Sequence, residues 1–252
     1  MQKQGDSYSF QEAGMYNMLS DYYKYTNPDL HIYYYQKHLE VLRKALPQNS
    51  ITTDLDRQTE YGKLRFIHTA AQKPVVDIYI NGVKLFKEVS FKSVTNEMTL
   101  PVGRYQVDIY ETGAMVDSLC SQKILVESNI FHTITFLEAA NNYLKLYTFQ
   151  EDPFVHPSET KLRIIHLHPK MSALNIAVQK GDVVFPNLHL KAATSYLGLY
   201  PMTVYLEAKD AETNGKLASF PPLPLKENKA YSALILEGTS ADVSAEILLI
   251  SI

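Results

Sequence analysis

Lys63-Leu64-Arg65-Phe66-Ile67-His68 and Lys161-Leu162-Arg163-Ile164-Ile165-His166 are nearly the same hexapeptide, 98 positions apart. Five of the six residues are identical and the sixth is apolar in both. A string like this at domain-sized spacing reads as the opening strand of a duplicated module. The neighbouring segments repeat as well. Val75-Val76-Asp77-Ile78-Tyr79-Ile80-Asn81-Gly82 has a counterpart in Ala173-Leu174-Asn175-Ile176-Ala177-Val178-Gln179-Lys180-Gly181, and both alternate up to a Gly-containing turn. Leu100-Pro101 before Tyr105 and Val107 matches Leu199-Tyr200-Pro201 before Val204 and Leu206. Val126-Glu127-Ser128-Asn129 leads to His132-Thr133 as Leu225-Lys226-Glu227-Asn228 leads to Tyr231-Ser232. The register slips by one residue over the module, as loop insertions cause.

From Lys63 onward the hydrophobic period is two. Strands are expected at Leu64–Thr69, Val75–Asn81, Val83–Phe86, Val94–Leu100, Tyr105–Glu111, Leu119–Val126, Phe131–Leu137 and Tyr143–Phe149. Asn81-Gly82 between alternating runs signals a tight hairpin, which needs positive φ at both central residues. Many short strands in under ~100 residues describe an immunoglobulin-like sandwich or a small barrel. The stretch 150–160, with Pro153 and Pro157, is a short, stiff connector, and a second β-sandwich is expected over 161–252. Its Pro221-Pro222-Leu223-Pro224 marks an edge or loop, and its last strand, Val243 to Ile252, is expected to be buried.

Residues 1–47 read differently. Met15, Met18, Leu19, Tyr22 and Tyr25 recur at helical steps, as do Ile32, Tyr35, Leu39, Leu42 and Leu46. Asn27 can cap the second helix, Pro28 suits its first position, Asp29 favours its positive end and Pro47 stops it. These signals together predict a helical hairpin, its stripes packing on each other and on the β part, or pairing with another subunit. Residues 48–62 are polar and aperiodic and read as a linker. The fold class is therefore mainly β: an N-terminal α-helical hairpin followed by two tandem immunoglobulin-like β-sandwich modules.

The order Leu-Arg-Phe-Ile-His, the loop with Ala70, Ala71 and Pro74, the string Val-Asp-Ile-Tyr-Ile-Asn-Gly, and Leu100-Pro101-Val102-Gly103 before Tyr105 and Val107 resemble the bacterial domain-of-unknown-function family DUF4397. The resemblance runs from Lys63 to Glu138 and, more loosely, through the second copy, where Asn175 replaces Asp77. It implies a β-sandwich, often in tandem and often on surface or envelope proteins, with no established reaction. A structural role in a spore coat or cell-envelope assembly is the expectation from that class.

Composition narrows the functions. The 252 residues carry a net charge of −3 with basic residues spread along the chain, which argues against a nucleic-acid surface. No run reaches ~18 apolar residues, so no membrane insertion is expected. Met1 to Asp6 has no apolar stretch behind its lysine, so no signal peptide is read and a cytoplasmic protein, deposited on a spore or envelope layer, is expected. One cysteine, Cys120, leaves no intrachain disulfide and reads as a small buried hydrophobe.

No nucleophile elbow, phosphate loop or paired-carboxylate motif is present, so neither an enzyme nor a cofactor is expected. Arg65 and Asp77 lie on the polar faces of consecutive strands and would form a cross-strand ion pair if those strands paired; Arg163 would then face Asn175. The alternative is that Arg65 and Arg163 contact an anion or glycan. His166 and His168 share one strand face at a spacing that can hold a metal, with His156 and His189 as loose further ligands. Tyr22, Tyr23, Tyr33 and Tyr34 crowd the helical segment beyond what one buried stripe uses, as on a protein–protein contact surface. The leading expectation is a non-catalytic structural or adaptor protein that binds protein partners or itself. A module binding a cell-envelope glycan comes second and a metal-dependent enzyme third.

Overall fold

In a computed structural model, the structure describes residues 3–24, 26–45, 60–71, 73, 75–114, 116–139, 143–238 and 244–252. The readings at Tyr25, Leu46, Pro47, Pro74, Val243 and most of the 48–62 linker lie outside them. The chain divides into two compact units, Met1–Thr59 and Glu60–Ile252.

The first unit is a hairpin of α1 (Lys3–Tyr23) and α2 (Pro28–Ala45). Asn27 caps α2, its Oδ1 accepting from the Leu30 N–H at 3.3 Å, and Pro28 opens the helix where its missing N–H costs nothing. The seam between the helices is not the one hydrophobicity predicts. It is built from Ala13, Tyr16, Ser20 and Tyr23 on α1 against His31, Tyr34 and His38 on α2. The Tyr34 ring stacks on both Tyr16 and Tyr23, at 6.3 and 5.6 Å between centroids. His31 Nδ1 lies 2.9 Å from both the hydroxyl and the carbonyl of Ser20, and His38 Nδ1 donates to the Ala13 carbonyl at 2.8 Å. Met15, Met18 and Tyr22 of α1 and Ile32, Tyr35 and Leu39 of α2 stay exposed, Met18 at 74% and Tyr22 at 73%. The expected packing of the two stripes on each other is thus corrected. Tyr and His can satisfy their polar ends across a tight seam, and they occupy it at the same three–four spacing.

The second unit is all β. Its first half holds β1 (Tyr61–His68), β2 (Val75–Ile80), β3 (Val83–Ser90), β4 (Met98–Pro101), β5 (Gly103–Glu111), β6 (Cys120–Val126), β7 (Phe131–Glu138) and β8 (Leu144–Glu151). They form two four-stranded sheets, ordered β4-β1-β7-β8 and β3-β2-β5-β6. The sheets face each other across one core that includes Leu64, Phe66, Val76, Ile78, Val107 and Phe136. Within it β1 runs parallel to β7. Asn81 and Gly82 have φ of 50° and 79°, the two positive values the tight β2–β3 hairpin requires. β1 starts at Tyr61, inside the expected linker, and a Cβ on its second residue, Gly62, would stand 2.3 Å from the Glu127 carbonyl oxygen.

The second half holds β9 (Thr160–His166), β10 (Leu174–Val178), β11 (Val183–Leu188), β12 (Leu197–Leu199), β13 (Met202–Val204), β14 (Leu206–Asp210), β15 (Lys216–Ser219), β16 (Leu223–Leu225), β17 (Lys229–Glu237) and β18 (Ala245–Ser251). The order β12-β9-β17-β18 repeats β4-β1-β7-β8, again with a parallel central pair. The facing sheet is β11-β10-β14-β15. The ladder that is continuous between β5 and β6 is split here into β14–β15 and a separate β13–β16 pair. Pro221 and Pro222 stand at the break, where they have no N–H to give. β18 is an edge strand and only partly buried, not fully buried as expected.

The inner sheets of the two halves lie back to back. Leu64, Phe66 and His68 point into the first core, while Arg65 and Ile67 point out of it toward the second half. A single buried cluster holds Ile67, Leu137 and Phe149 from one sheet with Ile165, Leu167, Leu234, Leu236 and Ile250 from the other. The four sheets are therefore stacked, and this middle apolar layer joins them.

Candidate functional site

Two regions stand out as candidate sites: the buried polar cluster in the middle layer and the rim of the sheet that carries β1.

The cluster centres on Glu151, the last residue of β8, which is 3% exposed. Arg163 Nη2 donates to its Oε2 at 2.6 Å, and Arg65 Nη2 stands 3.5 Å from its Oε1. Each arginine is held the same way on its own side. Arg65 Nε donates to the Thr133 hydroxyl at 3.0 Å, and Arg163 Nε donates to the Ser232 hydroxyl at 2.9 Å. Both hydroxyls donate to Glu151. Each guanidinium also crosses to the other half: Arg65 Nη1 donates to the Ser251 carbonyl at 3.1 Å and Arg163 Nη1 to the Gln150 carbonyl at 2.8 Å. Tyr196 adds a donor to Glu151 Oε2 at 2.6 Å, and its ring lies under the Arg163 guanidinium. Burial, and then the charge of Glu151, hold the Tyr196 phenol well above its ordinary range, so it remains a donor.

This arrangement corrects the expected Arg65–Asp77 pair. β1 and β2 belong to opposite sheets and do not hydrogen-bond, so the two side chains leave in different directions. Arg65 and Arg163 are 4% and 6% exposed, and neither offers a guanidinium to an external anion or glycan.

Asp77 serves the backbone of its own sheet. The β2–β3 ladder carries a register shift beside it, and Glu88 there has a φ of 54°. Asp77 Oδ1 accepts from the Glu88 N–H at 2.8 Å, Oδ2 accepts from Lys84 Nζ at 2.7 Å, and the Thr112 hydroxyl adds a third donor. Burial pushes the carboxyl up, but Lys84, the Glu88 N–H and Thr112 together outweigh it and leave it below the usual range. Asn175 does the same work in the second half: its Oδ1 accepts from the Asn187 N–H at 2.8 Å, and Asn187 has a φ of 50°. The Asp-to-Asn difference keeps the oxygen that the bulge needs.

The histidines are backbone fasteners. His166 Nε2 donates to the Ser172 carbonyl at 2.9 Å and His168 Nε2 to the Ser244 carbonyl at 2.7 Å. Their Nδ1 atoms accept from the His168 and Lys170 N–H groups, both at 3.3 Å. All four nitrogens of His166 and His168, the weak metal candidates, are engaged with backbone; among the described residues no group of three or more metal-ligating side chains converges. His68 lies between the rings of Phe91 and Phe136, fully buried, with Nδ1 accepting from the Ala70 N–H and Nε2 unpartnered. Burial pushes its pKa down to about 4.

In the helical unit Tyr23 and Tyr34 belong to the seam, while Tyr22 and Tyr33 are exposed. Each exposed ring makes an edge contact with its seam neighbour, Tyr22 on Tyr23 at 5.0 Å and Tyr33 on Tyr34 at 5.2 Å.

The rim site is a cavity of about 490 Å³ at the edge of the β1 sheet face that turns toward the second half, with Ile252 in its lining. Thr99, Lys63, Phe131 and Glu151 form its floor as one cross-strand row, since Lys63 pairs with both Thr99 and Phe131, and Phe131 pairs with Glu151. Tyr61 and Glu97 stand at its sides. Nothing in the sequence marked Glu151, Tyr61 or Phe131. Glu151 falls where the prolines announce a connector, and its importance comes from two arginines that meet only in the folded chain.

Residues 62–177 match the model of a domain of unknown function, DUF4397. The match covers the first half of the β unit and continues through β9 into β10. No curated protein matches the chain. Among solved structures the chain is similar to the Bacillus anthracis TIE protein, at 15% identity and a TM-score of 0.24 over 74% of this chain and 34% of that one. The chain thus spans about a third of that protein's length. It is also similar to a candidate adhesin from Bacteroides ovatus, at 8% identity and a TM-score of 0.21, over 76% of this chain and 95% of that one. A candidate cell adhesion protein from Bacteroides fragilis gives 7% identity and a TM-score of 0.19, over 71% and 83%. These values are too low to carry a fold or a function from those proteins to this one. Among the described residues no helix is long and apolar enough to cross a membrane.

Proposed function

We propose that this chain is a non-catalytic structural or adaptor protein in which two copies of one β-sandwich form a rigid base and the helical hairpin makes the contacts. The tandem-copy reading is supported by the repeated sheet order and by paired local features. Lys92 and Lys191, Asn129 and Asn228, and Glu88 and Asn187 take positive φ at corresponding places. Thr95 and Thr194 cap the Phe66 and Ile164 N–H groups alike, at 2.9 and 3.0 Å. The adaptor reading rests on one observation: both helices keep an apolar stripe exposed while a polar, tyrosine-rich seam holds them together. Exposed Met, Ile, Leu and Tyr in helical register is what a protein interface uses. A layer of a cell envelope or spore coat is the assembly in view, on the strength of the resemblance alone.

The test is Met18→Glu with Leu39→Glu in the full chain, read by sedimentation velocity and by photo-crosslinking from position 18 in the native cell. The wild type is expected to self-associate or to give a discrete crosslinked product, and the double variant to lose it with its unfolding midpoint unchanged, because both sites are on the surface. A wild-type chain that sediments as a monomer and crosslinks to nothing overturns the proposal, as does a variant that behaves like the wild type.

A further inference from the structure

The two inner sheets differ at one corresponding place, and the difference carries a binding site. In the second half the cross-strand row is Gly198, Lys161, Ala230, where the first half has Thr99, Lys63, Phe131. Tyr196, one residue before β12, packs its ring on the lysine of this row and on the neighbouring arginine. Its ring centroid is 4.5 Å from Lys161 Nζ and 4.8 Å from the Arg163 guanidinium. The first half has Glu97 at that position, one residue before β4. Phe131 supplies a ring to Arg65, at 5.1 Å, so the arginine is covered in both halves. Lys63 is not. Among the described residues its ammonium pairs with Glu97, at 3.8 Å on the exposed rim, and the cavity of about 490 Å³ opens where the second half has a phenol.

We infer that this cavity receives an aromatic side chain of a protein partner, stacked over Lys63 against Phe131 and Tyr61 as Tyr196 stacks over Lys161. The charges select a neutral ring: Glu97 disfavours an anion, Lys63 and the net positive Arg65–Glu151–Arg163 cluster disfavour a cation, and a ring face is attracted to the ammonium without adding charge. The volume suits it, within the ~300–1,000 Å³ range of sites that take small organic groups. The site lies wholly within residues 60–252 and goes beyond the role proposed for the helices.

The probe is N-acetyl-tyrosinamide, added to the full chain and followed by saturation-transfer NMR and by shifts of the Lys63 and Tyr61 resonances. Binding with a Kd on the order of millimolar is expected for one side chain. Glu97→Tyr, which supplies from within the ring that Tyr196 supplies in the second half, abolishes it and leaves the unfolding midpoint in place. Lys63→Met weakens it about two- to fivefold. Methyl glycosides, added in a parallel series, leave the same resonances unmoved. Shifts caused by the glycosides and not by the aromatic probe overturn the inference, as does probe binding that Glu97→Tyr leaves intact, or no binding at all. Loss of the helical contacts alone would leave these results unchanged, so the two proposals fail separately.

Discussion

Arg65 and Arg163, one from each half of the β unit, close on opposite oxygens of a single carboxylate, that of Glu151. Two positive groups and one negative group are thus buried together in the layer where the halves meet. On each side a hydroxyl and a carbonyl accept further guanidinium N–H groups. Desolvation makes such a cluster costly to break by halves.

Glu151→Ala is accordingly expected to cost about 3–5 kcal/mol, because it leaves two buried guanidinium groups without their counterion. Asp152→Ala removes an exposed partner of Lys161 and the exposed acceptor of the Phe154 N–H, and is expected to cost about 1 kcal/mol. Replacing Arg65, Glu151 and Arg163 together by Met removes all three charges and is expected to cost less than Glu151→Ala alone. Urea unfolding of the four proteins checks this. A Glu151→Ala cost no larger than that of Asp152→Ala would show the cluster to be incidental.

His68 gives the fold a pH dependence whose sign is fixed. Burial holds its folded pKa at about 4, whereas an unfolded histidine titrates near 6.5. Between those values the unfolded chain binds the proton and the folded chain does not, so stability rises with pH across that window and levels off above it. The loss from pH 7 to pH 5 attributable to His68 is about 2 kcal/mol. His132 and His166, also lowered mainly by burial, act in the same direction. His68→Leu is expected to flatten the slope between pH 5 and 7, whatever it does to absolute stability. An unchanged slope would mean that His68 is not neutral in the native core.

Asp77 and Asn175 predict an asymmetry between two substitutions. Asp77→Asn keeps the acceptor for the Glu88 N–H and loses the contact with Lys84, whose side chain is exposed, so the loss is expected to be small against that of Asp77→Ala. Asp77→Ala leaves the bulge N–H with no partner and is expected to cost about 1–3 kcal/mol. Equal costs for the two, measured by urea unfolding, would place the value of Asp77 in its charge and not in its oxygen.

Much of the β architecture was legible because burial on one face writes a period of two into the chain. The alternation in Leu64-Arg65-Phe66-Ile67-His68 correctly separates the core-facing residues from those facing away. It could not say what lies on the other side of Arg65, and the nearest acidic alternation, at Asp77, suggested the wrong partner. Which strands pair is decided by crossovers between sheets, and no local period records them. The helical hairpin was legible in its cap and its extent but not in its seam. A hydrophobicity stripe ranks Met18 and Leu39 above Tyr34 and His38. A seam chooses side chains that can also satisfy their polar ends.

The back-to-back packing of the inner sheets has a consequence for how this chain can vary over generations. Excising either half would leave an oily sheet face bare, and excising the first would also strip Arg163 of the carboxylate of Glu151. The connector between them is the short stretch 152–159, yet the surfaces beside it make the pair indivisible. A change at Glu151 must satisfy the two strands that open the two halves of the β unit. The halves can drift apart in their outer loops, but at this face they are inherited as one.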